Sequence, residues 1–358
     1  MDKVRLGITI GDMNGIGLEV IIKSLANPRL LELCIPVIYG SAKVVSYHKN
    51  IVRPADFSYQ SLSNASNLST GRINLVNCWN EDAAINLGTP DAESGKFAYI
   101  ALDQATQDLK AGLIDVLVTA PIDKHAMSLA GFPSPGHTEY LTDQFGVASS
   151  LMLMVADDLR IGVVTNHVPI GTVTSLLTKE LVLQKAMILA QSLQSDFGFE
   201  KPLIAILGLN PHAGDNGLIG SEEEDIIKPA ISELKERGLF VGGPYSADGF
   251  FGSGNYRKVD GILAMYHDQG LIPFKTLSFG QGVNYTAGLP IVRTSPDHGV
   301  GSAIAGQDVA DERSFQKAIF LAIDIWRQRR DFDNDRRNRL KIGALAEEED
   351  GNALPEDF

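Results

Sequence analysis

Three histidines follow apolar runs that have the composition of β-strands. His167 comes after LRIGVVTN, His212 after PLIAILGLNP and His267 after GILAMY. Because ligands of open α/β sheets collect beyond the carboxyl ends of the strands, we expect these imidazoles to share one edge of a sheet. Three histidines with open positions suit a catalytic divalent metal, which polarises an alcohol or carbonyl oxygen. Taken singly, each histidine is more typical of a hydrogen-bonded loop residue, so the prediction of a metal site depends on their shared position.

Polar and basic side chains elsewhere are suited to binding an anion. Lys275, Asn284 and Arg293 follow His267 closely, and the arginine lies within the apolar run GLPIVRT. A lysine, an amide and an arginine close together would bind a phosphate or a carboxylate. In PGHTEYL, residues 135–141, a histidine and a threonine occupy the expected start of a helix, where free N–H groups favour an anion. The alternatives are ordinary surface charge and an ordinary capped helix.

Two loops allow more than one interpretation. The glycine-rich turn GDMNGIGLE, residues 11–19, follows a strand-like run, but it matches neither GxGxxG nor the ending of a P-loop. A phosphate-binding turn and an ordinary strand-to-helix turn both remain open. In SPDHG, Asp297 and His298 are expected either to orient a ligand or to cap a turn. No GxSxG motif occurs in the sequence, which gives no argument for acyl transfer.

Short apolar runs alternate with amphipathic segments of helical length. The runs are VRLGITI, IPVIYG, DVLVTAP, LMLMVA, RIGVVTN, PLIAIL and GILAMY; the helical segments are GIGLEVIIKSL and stretches near 93–111, 178–196, 221–237 and 309–330. This alternation predicts an α/β protein with a mainly parallel sheet that is covered on both faces. RIGVVTN and VNYTAGLPIVRT are candidates for antiparallel strands, and the pattern over 49–90 is weak.

Composition narrows the class of protein. The chain has 358 residues, of which 44% are hydrophobic and 21% charged, and this length suggests two domains or one large α/β unit. The net charge of −13, with six acids among the last fifteen residues, argues against general binding to nucleic acid or membrane surfaces. Cys34 and Cys78 lack zinc-site spacing and are expected to be buried, reduced thiols. Without a signal-peptide pattern or a run as long as a membrane span, we expect a cytoplasmic protein.

The motifs occur together, and in order, in a known enzyme family. APIDKHAM, PGHTEYL, NHVPI, LNPHAGDNGLIGSEE, AMYHDQGL, VNYTAGLPIVRTSPDHG and SAIAG resemble those of the 4-hydroxythreonine-4-phosphate dehydrogenase family of pyridoxal phosphate biosynthesis, from about Val4 to Arg330. The resemblance implies a two-lobed α/β/α fold like that of isocitrate and isopropylmalate dehydrogenases, with mainly parallel sheets and some antiparallel strands. It also implies a homodimer with active sites at the interface. We expect residues 1–335 to form one unit of two lobes around a central cleft, followed by a charged, disordered acidic tail over 336–358.

The resemblance also implies a reaction and the residues that carry it. Family members oxidise the hydroxyl of 4-phospho-L-hydroxythreonine with NAD or NADP, and the β-keto acid then loses carbon dioxide to give 3-amino-2-oxopropyl phosphate. The positions that match the ligands of the divalent metal (Zn, Mg, Mn or Co) are His167, His212 and His267. The positions that match substrate-binding residues are His137, Thr138, Lys275, Asn284 and Arg293. Lys275 is the expected general acid or base, and weaker candidates are Asp248 and Asp268.

Two segments depart from the family pattern. Met13, Asn14 and Leu18 replace the usual Pro, Ala and Pro of the first turn, and Gly249 replaces a usual Thr beside Asp248. The glycines and Asp12 of the first turn remain, so we expect the turn to survive with a different rigidity. The hydroxyl lost at Gly249 puts the contacts with substrate or cofactor in doubt, but not the reaction class. Relatives that oxidise threonate or erythronate 4-phosphate share the same motifs, so that reaction is the alternative. The sequence leaves open the choice between NAD and NADP, the native metal and the general base.

Two other classes of protein are less consistent with the motifs. A binding protein without turnover would be expected to lose one of the three histidines or Lys275, and all four are present. A phosphoryl or acyl transferase would not need three histidines at strand ends. An oxidoreductase is therefore the leading hypothesis.

Overall fold

A twelve-stranded sheet forms the centre of the fold in the computed structural model, which describes residues 3–52 and 57–337. The strands are β1 Val4–Thr9, β2 Cys34–Gly40, β3 Tyr59–Leu62, β4 Ile73–Asn77, β5 Val116–Thr119, β6 Leu151–Ala156, β7 Leu159–Val163, β8 Leu203–Leu207, β9 Phe240–Tyr245, β10 Gly261–Ala264, β11 Val283–Ala287 and β12 Val292–Pro296. Their order across the sheet is β3-β4-β2-β1-β5-β12-β11-β6-β7-β10-β8-β9.

Helices connect most of these strands. They are α1 Gly17–Leu25, α2 Leu30–Leu33, α3 Ala42–Val52, α4 Ala92–Lys110, α5 Lys124–Leu129, α6 His137–Gln144, α7 Val173–Leu176, α8 Lys179–Ser195, α9 Lys228–Glu236, α10 Ala247–Gly252, α11 His267–Ser278 and α12 Arg313–Arg337. A π-helical turn, Glu223–Ile227, leads into α9. In the part of the chain that the structure describes, no helix is both long and apolar enough to cross a membrane.

The sheet consists of two parallel sets that run in opposite directions. One set is β3-β4-β2-β1-β5-β12, and the other is β7-β10-β8-β9. Between them, β11 pairs antiparallel with both β12 and β6, and β6 pairs antiparallel with β7. Strands β2 and β5 are buried along their whole length, because helices cover both faces of a parallel sheet, and the antiparallel strand β6 is equally buried.

The α/β class with mainly parallel and some antiparallel strands is therefore confirmed, and one continuous sheet carries all the strands. RIGVVTN and VNYTAGLPIVRT supply the antiparallel pairs, as expected. The structure adds helix α11, which places Lys275 within a helix rather than near a strand end, and it places Arg293 inside β12 rather than beyond it. Helix α12 continues to Arg337, and the rest of the acidic tail lies outside the described residues.

Candidate active site

A cavity of about 320 Å³ contains most of the residues singled out from the sequence. Elements from both parallel sets line it, and among the lining side chains are Lys124, His137, Thr138, Glu139, His167, His267, Lys275, Asn284, Arg293, Asp297 and His298. The lining has three cationic side chains, two lysines and an arginine, and two anionic ones, a glutamate and an aspartate. Four imidazoles add further polar atoms. The cavity therefore suits a small anionic molecule.

Arg293 is a buried cation, 3% exposed, that is held by neutral groups. Its Nε and Nη2 donate to Thr119 Oγ1 at 3.1 and 2.6 Å, and Nη1 donates to Thr286 Oγ1 at 3.2 Å. No ion-pair partner for it is found in the described parts of the chain. Burial lowers the pKa of Arg293 to about 10, so the guanidinium stays charged at neutral pH. A buried charge without a counter-ion is costly, and a bound anion would offset that cost.

His137 is held in one tautomer by this arginine. Arg293 Nη2 lies 3.2 Å from His137 Nδ1, and because a guanidinium can only donate, Nδ1 accepts and the neutral ring carries its proton on Nε2. Burial, followed by the charges of Arg293 and Lys124, lowers the pKa of His137 well below its usual value. Its Nε2 is buried and has no hydrogen-bond partner among the described residues. The ring therefore offers one uncharged N–H donor to a ligand.

Helix α6 adds further donors at the same place. It begins at His137, and no side chain caps its N-terminus at Gly136. The first N–H groups of a helix have no acceptor within the helix, and the helix dipole favours an anion there. The Thr138 hydroxyl lies 3.4 Å from that of Thr286, which in turn receives Arg293 Nη1. The helix start, the imidazole and the guanidinium together make a set of donors suited to a phosphate group.

His167 and His267 form a pair on the same cavity wall. Their ring centroids are 5.4 Å apart with the planes tilted by 44°. Burial is the main cause that lowers the pKa of His167, which favours the neutral ring that can bind a metal. His267 Nδ1 donates to Asp268 Oδ1 at 2.8 Å, and this leaves a lone pair on Nε2 of the neutral ring. A histidine that donates its other N–H to a carboxylate is typical of metal sites, so this pair fits a divalent metal.

His212 lies apart from this pair, although all three histidines follow neighbouring parallel strands, β7, β10 and β8. It lines a second cavity of about 650 Å³, which also contains Asp248 and Asp268. Within 3–52 and 57–337, no group of three or more His, Cys, Asp or Glu side chains is placed to hold a metal. A single copy of the chain therefore brings together two of the three candidate ligands.

The loop that carries His212 has an unusual backbone. Five consecutive residues, 212–216, have φ between 43° and 78°, and only one of them is a glycine. For residues with a Cβ, the left-handed conformation costs roughly 1–2 kcal/mol each. Such strain persists only where the surrounding structure imposes it, and strained residues cluster at functional sites.

The remaining candidates differ in their relation to the first cavity. Asn284 lines it, and its Oδ1 is buried without a partner among the described residues. Lys275 lines it from helix α11, with Nζ donating to the Asp297 carbonyl at 3.3 Å. Asp248 and Asp268 face the second cavity, where Asp248 accepts from the Ser246 hydroxyl. That hydrogen bond is the main cause that lowers the pKa of Asp248. Of the three proton-transfer candidates, Lys275 alone lines the cavity that holds the anion-binding residues.

Four ionisable lining residues were not predicted as catalytic, substrate-binding or metal-binding residues: Lys124, Glu139, Asp297 and His298. Lys124 begins helix α5, and its place in the motif APIDKHAM is the signal that could have found it. His298, which the sequence left as either a ligand residue or a turn cap, lies on the cavity wall. Its Nδ1 donates to the Gly299 carbonyl at 3.1 Å, and its buried Nε2 lacks a partner in the described residues.

The glycine-rich first turn packs against protein rather than around a ligand. Gly11 has a φ of 67°, and a Cβ there would lie 2.2 Å from the Pro121 carbonyl oxygen. A Cβ on Gly15 would lie 2.6 Å from the Val300 carbonyl oxygen, which also accepts from Ile16 N at 2.9 Å. Protein backbone therefore fills the space that a phosphate would need, which supports the ordinary strand-to-helix turn. At the other departure from the family pattern, a Cβ on Gly249 would meet nothing within 4 Å.

Comparison with known proteins identifies the family. The family model described as pyridoxal phosphate biosynthetic protein PdxA matches residues 32–322. A 4-hydroxythreonine-4-phosphate dehydrogenase from Bacteroides thetaiotaomicron is 48% identical over 354 residues, 99% of this chain and 97% of that protein. A protein from Oceanobacillus iheyensis named “Putative D-threonate 4-phosphate dehydrogenase” is 37% identical, over 90% of this chain and 98% of its own length.

A solved structure gives the same result for the fold. The crystal structure of 4-hydroxythreonine-4-phosphate dehydrogenase from Klebsiella pneumoniae aligns with a TM-score of 0.79 and 33% identity, and covers 90% of this chain and 98% of its own. Both the family model and the relatives cover most of the chain. The chain therefore belongs to the PdxA family of pyridoxal phosphate biosynthetic proteins.

Proposed function

We propose that the protein oxidises 4-phospho-L-hydroxythreonine with NAD or NADP to 2-amino-3-oxo-4-phosphooxybutanoate, which then loses carbon dioxide to give 3-amino-2-oxopropyl phosphate. The observation that carries the proposal is the buried Arg293, which has no ion-pair partner in the described part of the chain and lies beside His137 and the uncapped start of α6. This phosphate-binding set shares one cavity with the pair His167 and His267. The names of the relatives from Bacteroides thetaiotaomicron and Klebsiella pneumoniae support the same reaction.

Binding would fix the phosphate at one end of the cavity. Arg293 supplies the charge, His137 Nε2 and the first N–H groups of α6 supply neutral donors, and Thr138 adds a hydroxyl. With the phosphate held there, the rest of a four-carbon substrate reaches toward Asn284, Lys275 and the two imidazoles that line the same cavity. Such anchoring places the reacting hydroxyl in a fixed position, which lowers the entropic part of the barrier.

The chemistry would then divide between bound groups and the chain's own residues. A divalent metal supplies Lewis acidity and NAD or NADP accepts the hydride when these groups are bound. Lys275 acts as the general acid or base, because its side chain lines the cavity and, among the described residues, pairs only with Asp297, whose Oδ1 lies 3.5 Å from Nζ. Asp268 holds the His267 ring through Nδ1 rather than transferring a proton itself.

A second copy of the chain would complete the site. His212 is exposed and lies outside the first cavity, so a partner's loop is the source that can bring this ligand to His167 and His267. Exposed apolar side chains surround the three histidine loops, among them Ile170, Leu218 and Ile272, which are 70, 81 and 63% exposed. Exposed apolar surface of this kind marks a protein interface. We therefore propose a homodimer in which each copy donates His212, and with it Asp248, to the other.

The two parallel sets of strands would form the two lobes of one unit, residues 1–335. The first cavity would be the cleft between them, because strand β12 of one set and the loops after β7 and β10 of the other both line it. A lobed unit of this kind gives the substrate a site that is reached from solvent and closed on two sides.

The second candidate is the same oxidation of a four-carbon sugar-acid phosphate, such as threonate or erythronate 4-phosphate. The name of the 37% identical protein from Oceanobacillus iheyensis favours the threonate compound. These substrates carry the same phosphate, so Arg293, His137 and Thr138 serve all of them equally. They differ from hydroxythreonine phosphate in having a hydroxyl in place of the ammonium group.

The test is reduction of NAD and of NADP by the purified protein with each of the three phosphorylated substrates. The assay is run on the protein as isolated, after chelation, and after adding back zinc, magnesium, manganese or cobalt. Highest kcat/KM with 4-phospho-L-hydroxythreonine, lost on chelation and restored by metal, supports the proposal. Turnover of threonate or erythronate 4-phosphate without turnover of the amino compound would transfer the proposal to the second candidate.

A further inference from the structure

The loop over residues 208–217, here called the His212 loop, is contacted by a buried side chain that has no role in the function proposed above. It follows β8, and it contains the five left-handed residues 212–216. Residues 211–217 form a 3-10 helical turn of their own, Ala213 N donates to the Asn210 carbonyl, and the Gly214 and Asp215 carbonyls accept from Ile219 N and Leu218 N. Because left-handed residues that carry a Cβ persist only where the surrounding structure supports them, a contact from outside the loop is expected to help hold this conformation.

Glu223 makes that contact from the π-helical turn Glu223–Ile227. Its side chain is 0% exposed, and Oε1 accepts from the main-chain N–H groups of Leu209 and Asn210, both at 2.7 Å. Its Oε2 accepts from Asn210 Nδ2 at 2.9 Å. In the described residues no lysine, arginine or histidine forms an ion pair with this carboxylate. Three N–H donors, all from the loop, are therefore what stabilises a fully buried carboxylate.

Glu223 also touches the loop on both sides of His212. A Cβ on Gly208 would lie 3.0 Å from Glu223 Oε1, and a Cβ on Gly214 would lie 2.5 Å from Oε2. The two glycines allow the backbone to come this close to the carboxylate, and Gly214 in addition has a φ of 78°. The carboxylate is thus hydrogen-bonded to the backbone before the histidine and packed against Gly214 after it, while the imidazole itself stays exposed at the second cavity.

We propose that Glu223 is a positioning residue that holds the His212 loop in its left-handed form, so that His212 is presented before any ligand binds. Without the carboxylate, two main-chain N–H groups lose their acceptor and the strained residues lose the contact that imposes their conformation. His212 then has to be ordered at the moment of binding, and this cost lowers affinity. The role of the loop in metal binding depends on the function proposed above, whereas the effect of Glu223 on loop structure does not.

The test uses Glu223→Gln in the full-length protein, with Glu224→Gln as the matched control. Glutamine keeps the volume but has a single acceptor oxygen, so its NH2 group must face either the two main-chain N–H groups at Oε1 or Asn210 Nδ2 at Oε2. Glu224 lies one residue further along the same turn, and its carboxylate pairs with Lys228 instead. His212→Ala is the third variant, because it removes the proposed ligand without touching the contacts of Glu223. Circular dichroism and thermal unfolding show whether each variant is folded.

Two measurements on the metal-free protein separate this inference from the proposed function. The first is hydrogen exchange of peptides that cover 208–217: we expect faster exchange in Glu223→Gln alone, with β8 and β10 unchanged. The second is the Kd for Zn²⁺ by competition with a chromogenic chelator, which we expect to rise about 10- to 100-fold in Glu223→Gln, as for other residues that orient metal ligands.

The outcomes distinguish the positioning role of Glu223 from the role of His212 as a metal ligand. Exchange and zinc affinity in Glu223→Gln that equal those of Glu224→Gln would overturn the positioning role. Faster loop exchange combined with no zinc binding by the wild type would support the positioning role and remove His212 as a metal ligand. A His212→Ala variant that loses zinc affinity but keeps the wild-type exchange of the loop would support His212 as a metal ligand and, together with faster loop exchange in Glu223→Gln, would support both ideas.

Discussion

At the scale of single residues, Arg293 gives the most direct test of the phosphate site. Arg293→Lys keeps the positive charge but loses the planar set of donors that reaches Thr119, Thr286 and His137 at once. Disrupting the geometry of a buried charge pair, here the residue-293 cation and the substrate phosphate, costs about 2 kcal/mol or more of binding free energy. We therefore expect KM for the phosphorylated substrate to rise about 30-fold or more. The effect on kcat should be smaller, since the phosphate itself is not changed in the oxidation.

Steady-state kinetics of Arg293→Lys, beside Arg160→Lys, checks this prediction. Arg160 is also partly buried, but it packs over the rings of Phe197 and Phe199 outside the cavity. A folded Arg293→Lys enzyme with the KM of the wild type would show that the phosphate binds elsewhere.

The residues of the site could be predicted from sequence only as far as local patterns reach. Arg293 was recognisable because a charge inside an apolar run needs a reason, and His137 because it begins a helix after Pro-Gly. His212 has a pattern as clear as that of His267, yet it lies in the other cavity. Its place depends on the left-handed loop and on Glu223, eleven residues further along, and no periodicity in the sequence records such a contact.

At the scale of elements, the first turn shows how a departure from the family pattern is accommodated. Asn14 is 0% exposed; its Oδ1 accepts from Asn86 N at 2.8 Å and its Nδ2 donates to the Thr89 carbonyl at 3.0 Å. These bonds join the turn after β1 to the segment before α4. We expect Asn14→Ala to destabilise the protein by about 1–3 kcal/mol, because it leaves polar groups without partners and a small void.

Thermal unfolding of Asn14→Ala is compared with that of Asn67→Ala, in which an exposed asparagine is truncated. Substrate KM should be unchanged in both variants, because Asn14 does not line the cavity. An Asn14→Ala protein as stable as Asn67→Ala would mean that the bonds to the 86–89 segment contribute nothing measurable.

Helix α3 carries a second internal contact of the same turn, and this one depends on pH. His48 is 2% exposed, its Nε2 lies 2.8 Å from the Met13 carbonyl, and burial lowers the pKa of His48 to about 4. The unfolded chain, with a pKa near 6.5, therefore binds this proton more readily than the folded one does. The stability that the neutral ring contributes is full above about pH 6.5 and is lost as pH falls toward 4, by roughly 3 kcal/mol in all.

His48→Gln checks this contribution, because glutamine donates a hydrogen bond but does not titrate. We expect its unfolding free energy to fall less steeply than that of the wild type between pH 6.5 and 4. His125→Gln, at an exposed position of α5, is the control and should follow the wild type. If the three curves run parallel, His48 is not the buried neutral group described here.

The sequence predicted elements well where both faces of a strand are buried and poorly at the edges of the sheet. Strands β3 and β9 are the two edges, and they read YQSL and FVGGPY, which lack a buried apolar run. An edge strand forms because a neighbour offers hydrogen bonds, and a proline is tolerated there. Helix α11 was missed for a related reason, since Pro273 suggests a break that packing of Leu271 and Phe274 overrides.

At the scale of the whole molecule, the separation of His212 from the histidine pair leads to a prediction about mixed dimers. Each His212→Ala copy keeps its own cavity intact, and each Arg293→Ala copy keeps an intact His212. In a dimer of one copy of each, the cavity of the first would receive His212 from the second, so one complete site forms although both variants are inactive alone. If all site residues came from one chain, no combination of the two variants would contain a complete site.

The experiment mixes the two inactive variants, lets the subunits exchange, and measures dehydrogenase activity. Random pairing puts half of the chains in mixed dimers, and each mixed dimer has one working site of two, so we expect about 25% of wild-type activity. Mixing Arg293→Ala with His137→Ala is the control: both changes lie in the same cavity, so their mixed dimer has no intact site. Recovery in the first mixture and none in the second would place His212 across the interface from Arg293, whereas no recovery in exchanged dimers would place both in one subunit.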